Sequence, residues 1–471
     1  MSPLDAFSDL IGADHVLRAE NDTAPYAQDW RGAYRGEPVA VLRPGDTAQV
    51  ATCLARCAAL GLAVVPAGGR TGLAGGATPL AEGPASVVLS LERMNRIRRV
   101  DAPGLTLTAE AGCTVQAVQQ AAAEAGRLFP LSFGAQGSAA IGGAISTNAG
   151  GIRTIRYGNT RELVLGLEVV LADGRVLDDL RGVRKDNSGY ALRHLFIGAE
   201  GTLGVVTAAS LRLFPALARR ETALAAVASP EQALALFAHC QGSGAELIAF
   251  ELIHRVCFEI TLRHSAQLRQ PMALDAPWYV LVEAASTHPD APVRAALETA
   301  LHDALEAGEA LDAVLCESEA QRENLWSIRE TFPECSRHEA PALPTDTCVP
   351  VSAVPEFLAR CEAMIAKDWP EGRMIALGHM GDGNIHLALQ APRGTSLADW
   401  WRRAAGFEER VAALAVELGG SFSAEHGIGQ SRLAAMQGLK SPVALDVMRA
   451  VKAALDPAGR MNPGKVLPAT G

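Results

Sequence analysis

The run Gly378-His379-Met380-Gly381-Asp382-Gly383-Asn384-Ile385-His386 sets two imidazoles around an Asp-Gly pair. Asp-Gly favours a two-residue hairpin turn, whose type I′ form needs positive φ at both central positions. With Asp382 and Gly383 as that turn, His379 and His386 stand directly opposite each other, their Cβ atoms roughly 4.5–5.5 Å apart. Two imidazoles so held can close on one metal ion. Gly381 and Gly383 weigh against a helix, the other geometry that would put these histidines on one face. The competing reading is a Gly-rich hairpin with two surface histidines.

A second run, Ser423-Ala424-Glu425-His426-Gly427-Ile428-Gly429, brings a carboxylate and an imidazole at adjacent positions among small residues. Neighbouring side chains of extended backbone point to opposite sides. Glu425 can therefore complete a His379-His386-Glu425 ligand set while His426 faces elsewhere. Three protein ligands leave an ion an open position, which is the arrangement of a catalytic site. The alternative is a surface pair near a helix start.

These residues need elements to hold them. A strand at Val39 to Leu42, a helix capped by Asp46 or Thr47 and ended by Gly61, and a strand from Leu62 to Pro66 form a βαβ unit. It runs into Pro66-Ala67-Gly68-Gly69-Arg70-Thr71-Gly72-Leu73-Ala74-Gly75-Gly76, a candidate anion cradle of bare backbone N–H groups. The spacing is neither a P-loop nor a clean GxGxxG, and a plain flexible turn stays open as an alternative. After the helix Val115 to Ala125 comes a longer small-residue tract, Gly134 to Gly151. Without large side chains it cannot build a core, and its use is to let backbone lie flat against a flat group. A tightly packed turn system is the other reading.

Leu163 to Leu171 and Arg175 to Leu177 form a hairpin about Asp173-Gly174. From about Leu217 strands and helices alternate, with helices predicted at Glu231 to Cys240, Val293 to Glu306, Gln321 to Thr331 and Ala353 to Lys367. A long helix from Leu397 to Leu418 and another from Pro442 to Leu455 follow. The expected fold class is α+β, with a two-part nucleotide-type domain and a cap whose sheet is largely antiparallel. The expected spans are 1–216 (split near 100), 217–420 with the hairpin, and a C-terminal segment 421–471.

The totals bound the function. At 471 residues, 49% hydrophobic and 20% charged, the chain is globular with room for two or three domains. Its formal net charge of −10 argues against nucleic acid as a general partner, and leaves any anionic substrate to local positive groups. Nine cysteines without a CxxC, and an N-terminus unlike a signal or transit peptide, point to reduced thiols and a cytoplasmic location.

The ordered motifs carry a resemblance. Pro66 to Gly72, the tract Gly134 to Gly151, Arg156-Tyr157-Gly158 and Phe196-Ile197-Gly198-Ala199-Glu200-Gly201-Thr202-Leu203-Gly204 resemble the FAD domain of the vanillyl-alcohol-oxidase superfamily. Gly378 to His386, Glu425 to Gly429 and Asp456 to Lys465 are similar to the FAD-linked D-2-hydroxyacid dehydrogenases within it, which include hydroxyglutarate and cytochrome-linked D-lactate enzymes. The match runs from about residue 30 to 468.

The resemblance implies FAD, held by Pro66, Gly68, Gly69, Arg70, Thr71, Gly72 and Leu73 and by Gly134, Gly137, Ser138, Gly142, Gly143, Thr147, Asn148 and Gly151. Glu200, Gly201, Gly204, Val206 and Asn462 complete that set. With no histidine near the first Gly-rich loop, non-covalent FAD is expected. The resemblance further implies a divalent ion, usually zinc, on His379, His386 and Glu425, with His426 as general base and Arg329 as the partner of the substrate carboxylate. Hydride would pass from Cα of a D-2-hydroxy acid to flavin N5. An electron-transfer flavoprotein, a quinone or a cytochrome would take the electrons onward, and a homodimer is compatible.

The FAD-domain motifs are closest to the hydroxyglutarate enzymes. The lysine and threonine with which those enzymes hold the distal carboxylate fall here on Pro344 and Pro333. Either another cation, Arg337 or His338, replaces the lysine, or the substrate is a monoacid such as D-lactate. A metal-independent FAD alcohol oxidase of the same fold, and a non-catalytic flavin-binding subunit of a larger complex, are the remaining alternatives.

Overall fold

The computed structural model describes residues 4–468; the outermost residues of the expected spans, 1–3 and 469–471, lie outside them. The chain divides into two compact units. One comprises Met1–Gly150, Gly158–Ala216 and Glu425–Gly471, the other Gly151–Tyr157 and Leu217–Ala424.

Among the described residues the first unit contains two larger sheets and a two-stranded pairing of Arg127–Leu128 with Phe214–Pro215. In the four-stranded one the strands run Val16–Leu17, Ala40–Leu42, Ser86–Ser90, Ala63–Ala67, and the last three are parallel. Parallel strands need a crossover, supplied here by the helix Thr47–Leu60. Its cap forms as its residue types require: the Asp46 side chain accepts from Gln49 N, and Gly61 ends it at φ 67°. The second sheet is antiparallel, in the order Ile97–Asp101, Thr106–Glu110, Val205–Arg212, Val164–Val170, Val176–Asp179. Two of its carboxylates, Glu110 and Glu168, share Arg98, at 3.4 and 3.1 Å, and Glu110 also takes Arg96 at 2.8 Å. Burial pushes both carboxyls up, but hydrogen bonds and charge from these arginines outweigh it and hold both below the usual carboxylate range.

The last segment closes the first unit. Val64 N donates to Arg460 O and Asn462 N to Val64 O, at 2.9 and 2.8 Å, adding Met461 as a parallel bridge beside the strand Ala63–Ala67. Lys452 Nζ meets Asp456 Oδ2 at 2.5 Å and caps the carbonyls of Thr202 and Met461.

The second unit is built on an eight-stranded sheet in which all the pairings are antiparallel. Its path runs Asp312–Leu315, Arg219–Val227, Trp278–Ser286, Glu246–His254, Arg373–His379, Asn384–Gln390, Ala342–Pro344, with the eighth strand, Thr347–Cys348, pairing off this path with Asn384–Gln390. One face is covered by the helices Pro230–Gly242, Val293–Glu306, Val354–Asp368 and Phe407–Glu417, whose Leu236, Leu297, Phe357 and Val411 are fully buried. The other face is covered by Arg255–His264 and Glu319–Glu339 through Phe258, Ile260, Leu325, Ile328 and Phe332. Each such side chain contributes roughly 1.5–3 kcal/mol of burial.

Three local expectations are corrected. The helix expected to end at Thr331 continues to Glu339 with Pro333 inside it; packing of Phe332 and Cys335 in the core beneath outweighs the missing N–H. The expected helix from Leu397 to Leu418 is two, Leu397–Arg403 and Phe407–Glu417, because Gly406 between them is left-handed at φ 82°. The hairpin register also differs. His379 pairs with Asn384 and Leu377 with His386, because only Gly383 has positive φ, 85°, and Asp382 does not share it. Residues 380–383 make a wider turn in which Gly383 N donates to His379 O. A Cβ on Gly383 would lie 1.9 Å from Val349 O, so no other residue fits. Among the described residues no helix is long and apolar enough to cross a membrane.

Candidate functional site

In the first unit the two small-residue loops meet. A Cβ on Gly69 would fall 2.0 Å from Ser138 O and 2.8 Å from Ala140 N, and one on Gly68 3.1 Å from the Ala140 methyl. Gly201 backs onto Pro66 at 2.9 Å in the same sense. The loops can approach this closely only without side chains, while Gly72, Gly134 and Gly143 present bare backbone with open space where a Cβ would be. That combination fits a flat cofactor with a pyrophosphate. Three non-glycine residues around it, Arg70, Asn148 and Glu200, are left-handed at φ 54°, 50° and 50°, strain of about 1–3 kcal/mol each that concentrates at binding sites.

Other residues of the expected set support this cradle from behind. Arg70 donates to Pro25 O and lies 4.0 Å over the Tyr26 ring. Thr147 Oγ1 donates to Gly143 O at 3.1 Å, and Asn148 Oδ1 accepts from Arg161 N at 2.9 Å. Gly142 packs on Ala111, Gly137 on Gln116, Gly204 on Val169 and Phe196, and Val206 is buried in the antiparallel sheet. Ser138, Thr71 and Leu73 are not fully covered. Gly151 belongs to the second unit, so the tract Gly134 to Gly151 is divided after Gly150.

Glu200 has a role the sequence did not reveal. Its two carboxylate oxygens accept from the backbone N–H groups of Ile428 and Gly429, at 2.7 and 2.9 Å. Asn462 Nδ2 in turn donates to Glu200 O at 2.6 Å and Gly76 O at 2.9 Å. The run that contains Glu425 and His426 is thereby anchored three residues beyond Glu425. Burial pushes the Glu200 carboxyl up, against those N–H donors, and lowers the Lys465 amine to about 8.

In the second unit, His379 and His386 share one face of the hairpin despite the changed register. Their ring centroids are 5.4 Å apart and their planes 86° from parallel. His379 Nδ1 meets Glu251 Oε1 at 2.5 Å, and Arg329 Nε donates to Glu251 Oε2 at 2.8 Å. Burial pushes Glu251 up, but His379 and Arg329 outweigh it and hold the carboxyl at about 2. His386 Nδ1 lies 3.8 Å from Asp346 Oδ1, and Asn384 Nδ2 donates to the same oxygen at 3.2 Å. Ala424 N donates to Asp346 O at 3.3 Å, so the residue before Glu425 is tied to the link between Ala342–Pro344 and Thr347–Cys348, whose Asp346 faces His386.

With Nδ1 of His379 held by a carboxylate, Nε2 is the ring nitrogen that it would turn to an ion, and His386 has a carboxylate 3.8 Å from its Nδ1. Metal-binding histidines commonly carry such partners, so the residues present fit a divalent ion. Arg329 is nearly covered, at 11% side-chain exposure. Its Nη2 is buried and has no hydrogen-bond partner among the described residues. Pro333 and Pro344 are exposed, as are Arg337 and His338. Glu251 and Asp346 escaped the sequence reading. A single carboxylate inside the apolar run Glu246 to His254 was the available signal for Glu251.

Residues 38–179 match the FAD binding domain family and residues 217–466 match FAD linked oxidases, C-terminal domain. The chain is 39% identical over 445 residues to a D-2-hydroxyglutarate dehydrogenase of Xanthomonas citri pv. viticola, covering 94% of this chain and 92% of that one. It is 36% identical over 456 residues to the mitochondrial D-2-hydroxyglutarate dehydrogenase of Bos taurus, covering 96% and 81%. Among solved structures, p-cresol methylhydroxylase with substrate bound matches with a TM-score of 0.76 at 15% identity, over 98% of this chain and 96% of that one. The 4-ethylphenol oxidase from Gulosibacter chungangensis matches with 0.72 at 17%, over 99% and 97%. At such identity these two speak for the fold, an FAD-binding domain with a cap. The chain belongs to the FAD-linked oxidases of the vanillyl-alcohol-oxidase type: it is an FAD-dependent oxidoreductase of the D-2-hydroxyacid dehydrogenase family.

One expectation is overturned by these relatives. Those from rice, Bos taurus, Arabidopsis thaliana, Rattus norvegicus and Danio rerio are named as mitochondrial, against the cytoplasmic location expected from the sequence.

Proposed function

We propose that this protein oxidises a D-2-hydroxy acid, D-2-hydroxyglutarate foremost, to the 2-oxo acid with metal assistance. The observation that carries the reading is the buried chain Arg329–Glu251–His379, which sets a carboxylate-binding group and a metal-binding group on one carboxylate. FAD, when bound non-covalently in the Gly68–Leu73 and Gly134–Gly143 cradle, supplies the hydride acceptor. A divalent ion, zinc by preference, supplies Lewis-acid polarisation of the substrate hydroxyl.

In this reading His379, His386 and Glu425 hold the ion, each offering one ligand atom. Arg329 Nη groups grip the substrate carboxylate through parallel hydrogen bonds and fix which face of Cα meets the flavin. A neutral ring nitrogen of His426 takes the hydroxyl proton, the task imidazole suits near pH 7. The buried Glu200 bonds keep the loop after His426 in place, so the base needs little reorganisation. A soluble or membrane-borne one-electron or two-electron carrier reoxidises the flavin.

The identity to D-2-hydroxyglutarate dehydrogenases favours the five-carbon diacid. The prolines at 333 and 344 favour D-lactate or another monoacid as the second reading, since a buried distal carboxylate without partners is costly. An anaerobic panel of D-2-hydroxyglutarate, D-malate and D-lactate, followed by flavin absorbance, tests both. Rapid bleaching by the diacid is expected, preference for D-lactate would select the second reading, and no bleaching by any 2-hydroxy acid would end both.

A further inference from the structure

We infer that Glu251 is a positioning residue that sets the orientation of both the metal-facing imidazole and the substrate-facing guanidinium. This rests on the reading proposed above. Glu251 lies in the middle of a central strand and is fully buried, at 0% exposure. Around it are Ile253, Leu281 and Leu377 on the same sheet face and Ile328 of the helix that covers it, all core residues. A buried ion pair is often no more stabilising than an apolar replacement of the same volume. Packing alone therefore gives no reason for a charge there.

The geometry gives one. Each carboxylate oxygen is committed to a different partner, Oε1 to His379 Nδ1 at 2.5 Å and Oε2 to Arg329 Nε at 2.8 Å. The first bond selects the His379 tautomer, fixes the ring about its χ angles and raises its basicity toward an ion at Nε2. The second holds the guanidinium at its Nε and leaves the Nη donors to other acceptors. Arg329 Nη2 is a buried donor with no partner among the described residues, and such a donor costs about 1–3 kcal/mol until something accepts from it. A substrate carboxylate is an acceptor of the right charge and shape. One side chain thus orients two groups that are 50 residues apart in the chain (379 less 329), and displacing it disturbs both.

The test uses Glu251→Gln and Glu251→Asp in the flavin-loaded full-length enzyme. Zinc affinity is measured without substrate, by competition with a chromophoric chelator, and KM and kcat are measured separately at saturating zinc. Glu251→Gln is expected to weaken zinc binding ~10–100-fold and to raise KM more than it lowers kcat. Glu251→Asp, which keeps the charge, is expected to recover part of both. Unchanged zinc affinity, or an unchanged KM, overturns the inference. Should Glu251→Gln fail to retain flavin and near-UV circular dichroism, the Asp variant decides alone: both quantities shift together, or the inference is wrong. A wild-type enzyme without zinc affinity would instead sink the metal reading itself.

Discussion

Glu200 accepts the backbone N–H of Gly429 at 2.9 Å, across 229 residues of sequence, and with its other oxygen that of Ile428. A side chain from the cofactor-type domain is therefore the anchor of the loop that carries Glu425 and His426. Glu200→Ala leaves two inward-facing N–H groups without their acceptor, at about 1–3 kcal/mol each. Urea denaturation is expected to show a destabilisation of that order. Glu200→Gln, which keeps one acceptor, should lose less, and equal stability of Glu200→Ala and wild type would show the clasp to be idle.

His426→Ala should abolish flavin reduction while FAD stays bound. General-base removal costs typically ~10²–10⁴-fold, read by stopped-flow bleaching of the flavin under argon. Bleaching at a near wild-type rate would remove His426 from the chemistry.

Metal removal makes a separate prediction. Chelation with dipicolinate should silence turnover, and zinc should restore it. Glu425→Ala should emerge from purification with substoichiometric metal by elemental analysis, since two imidazoles alone bind a divalent ion weakly. Full metal content in that variant would remove Glu425 from the ligand set, and turnover indifferent to the chelator would favour a metal-independent oxidase.

The acid stability of the first unit follows from Glu110 and Glu168. Both carboxyls are held below their ordinary value of 4.5 in the fold, burial being outweighed by Arg96 and Arg98. Folding thus favours the ionised forms, and the stabilisation is complete above about 4.5, the ordinary glutamate value, and lost as pH falls below it. Glu168→Gln should flatten that loss in denaturant titrations run stepwise below pH 5. An unchanged slope would mean that other carboxylates dominate acid unfolding.

Much of this was legible in the chain. The Asp46 and Gly61 caps and the helix Pro442–Leu455 follow from local residue chemistry, which folding did not override. The His379–His386 face was readable, but its register was not. Asp-Gly predicts two left-handed residues, and the contact of Gly383 with Val349, 34 residues away (383 less 349), decides the turn. Glu251 was invisible for a similar reason. Its partners lie 78 and 128 residues further along, and only the sheet brings them beside it. Pro333 misled because local propensity ends a helix where the core beneath it continues one.

Because Glu425 to Val466 completes a unit whose other parts precede the cap, that unit is begun before the cap and finished only after it on the ribosome. Its strand at Val64 waits for Arg460 and Asn462 until the whole cap has been translated. A nascent chain halted after the cap would present an unfinished flavin pocket to chaperones, and cutting the gene at the domain border would yield no self-sufficient half.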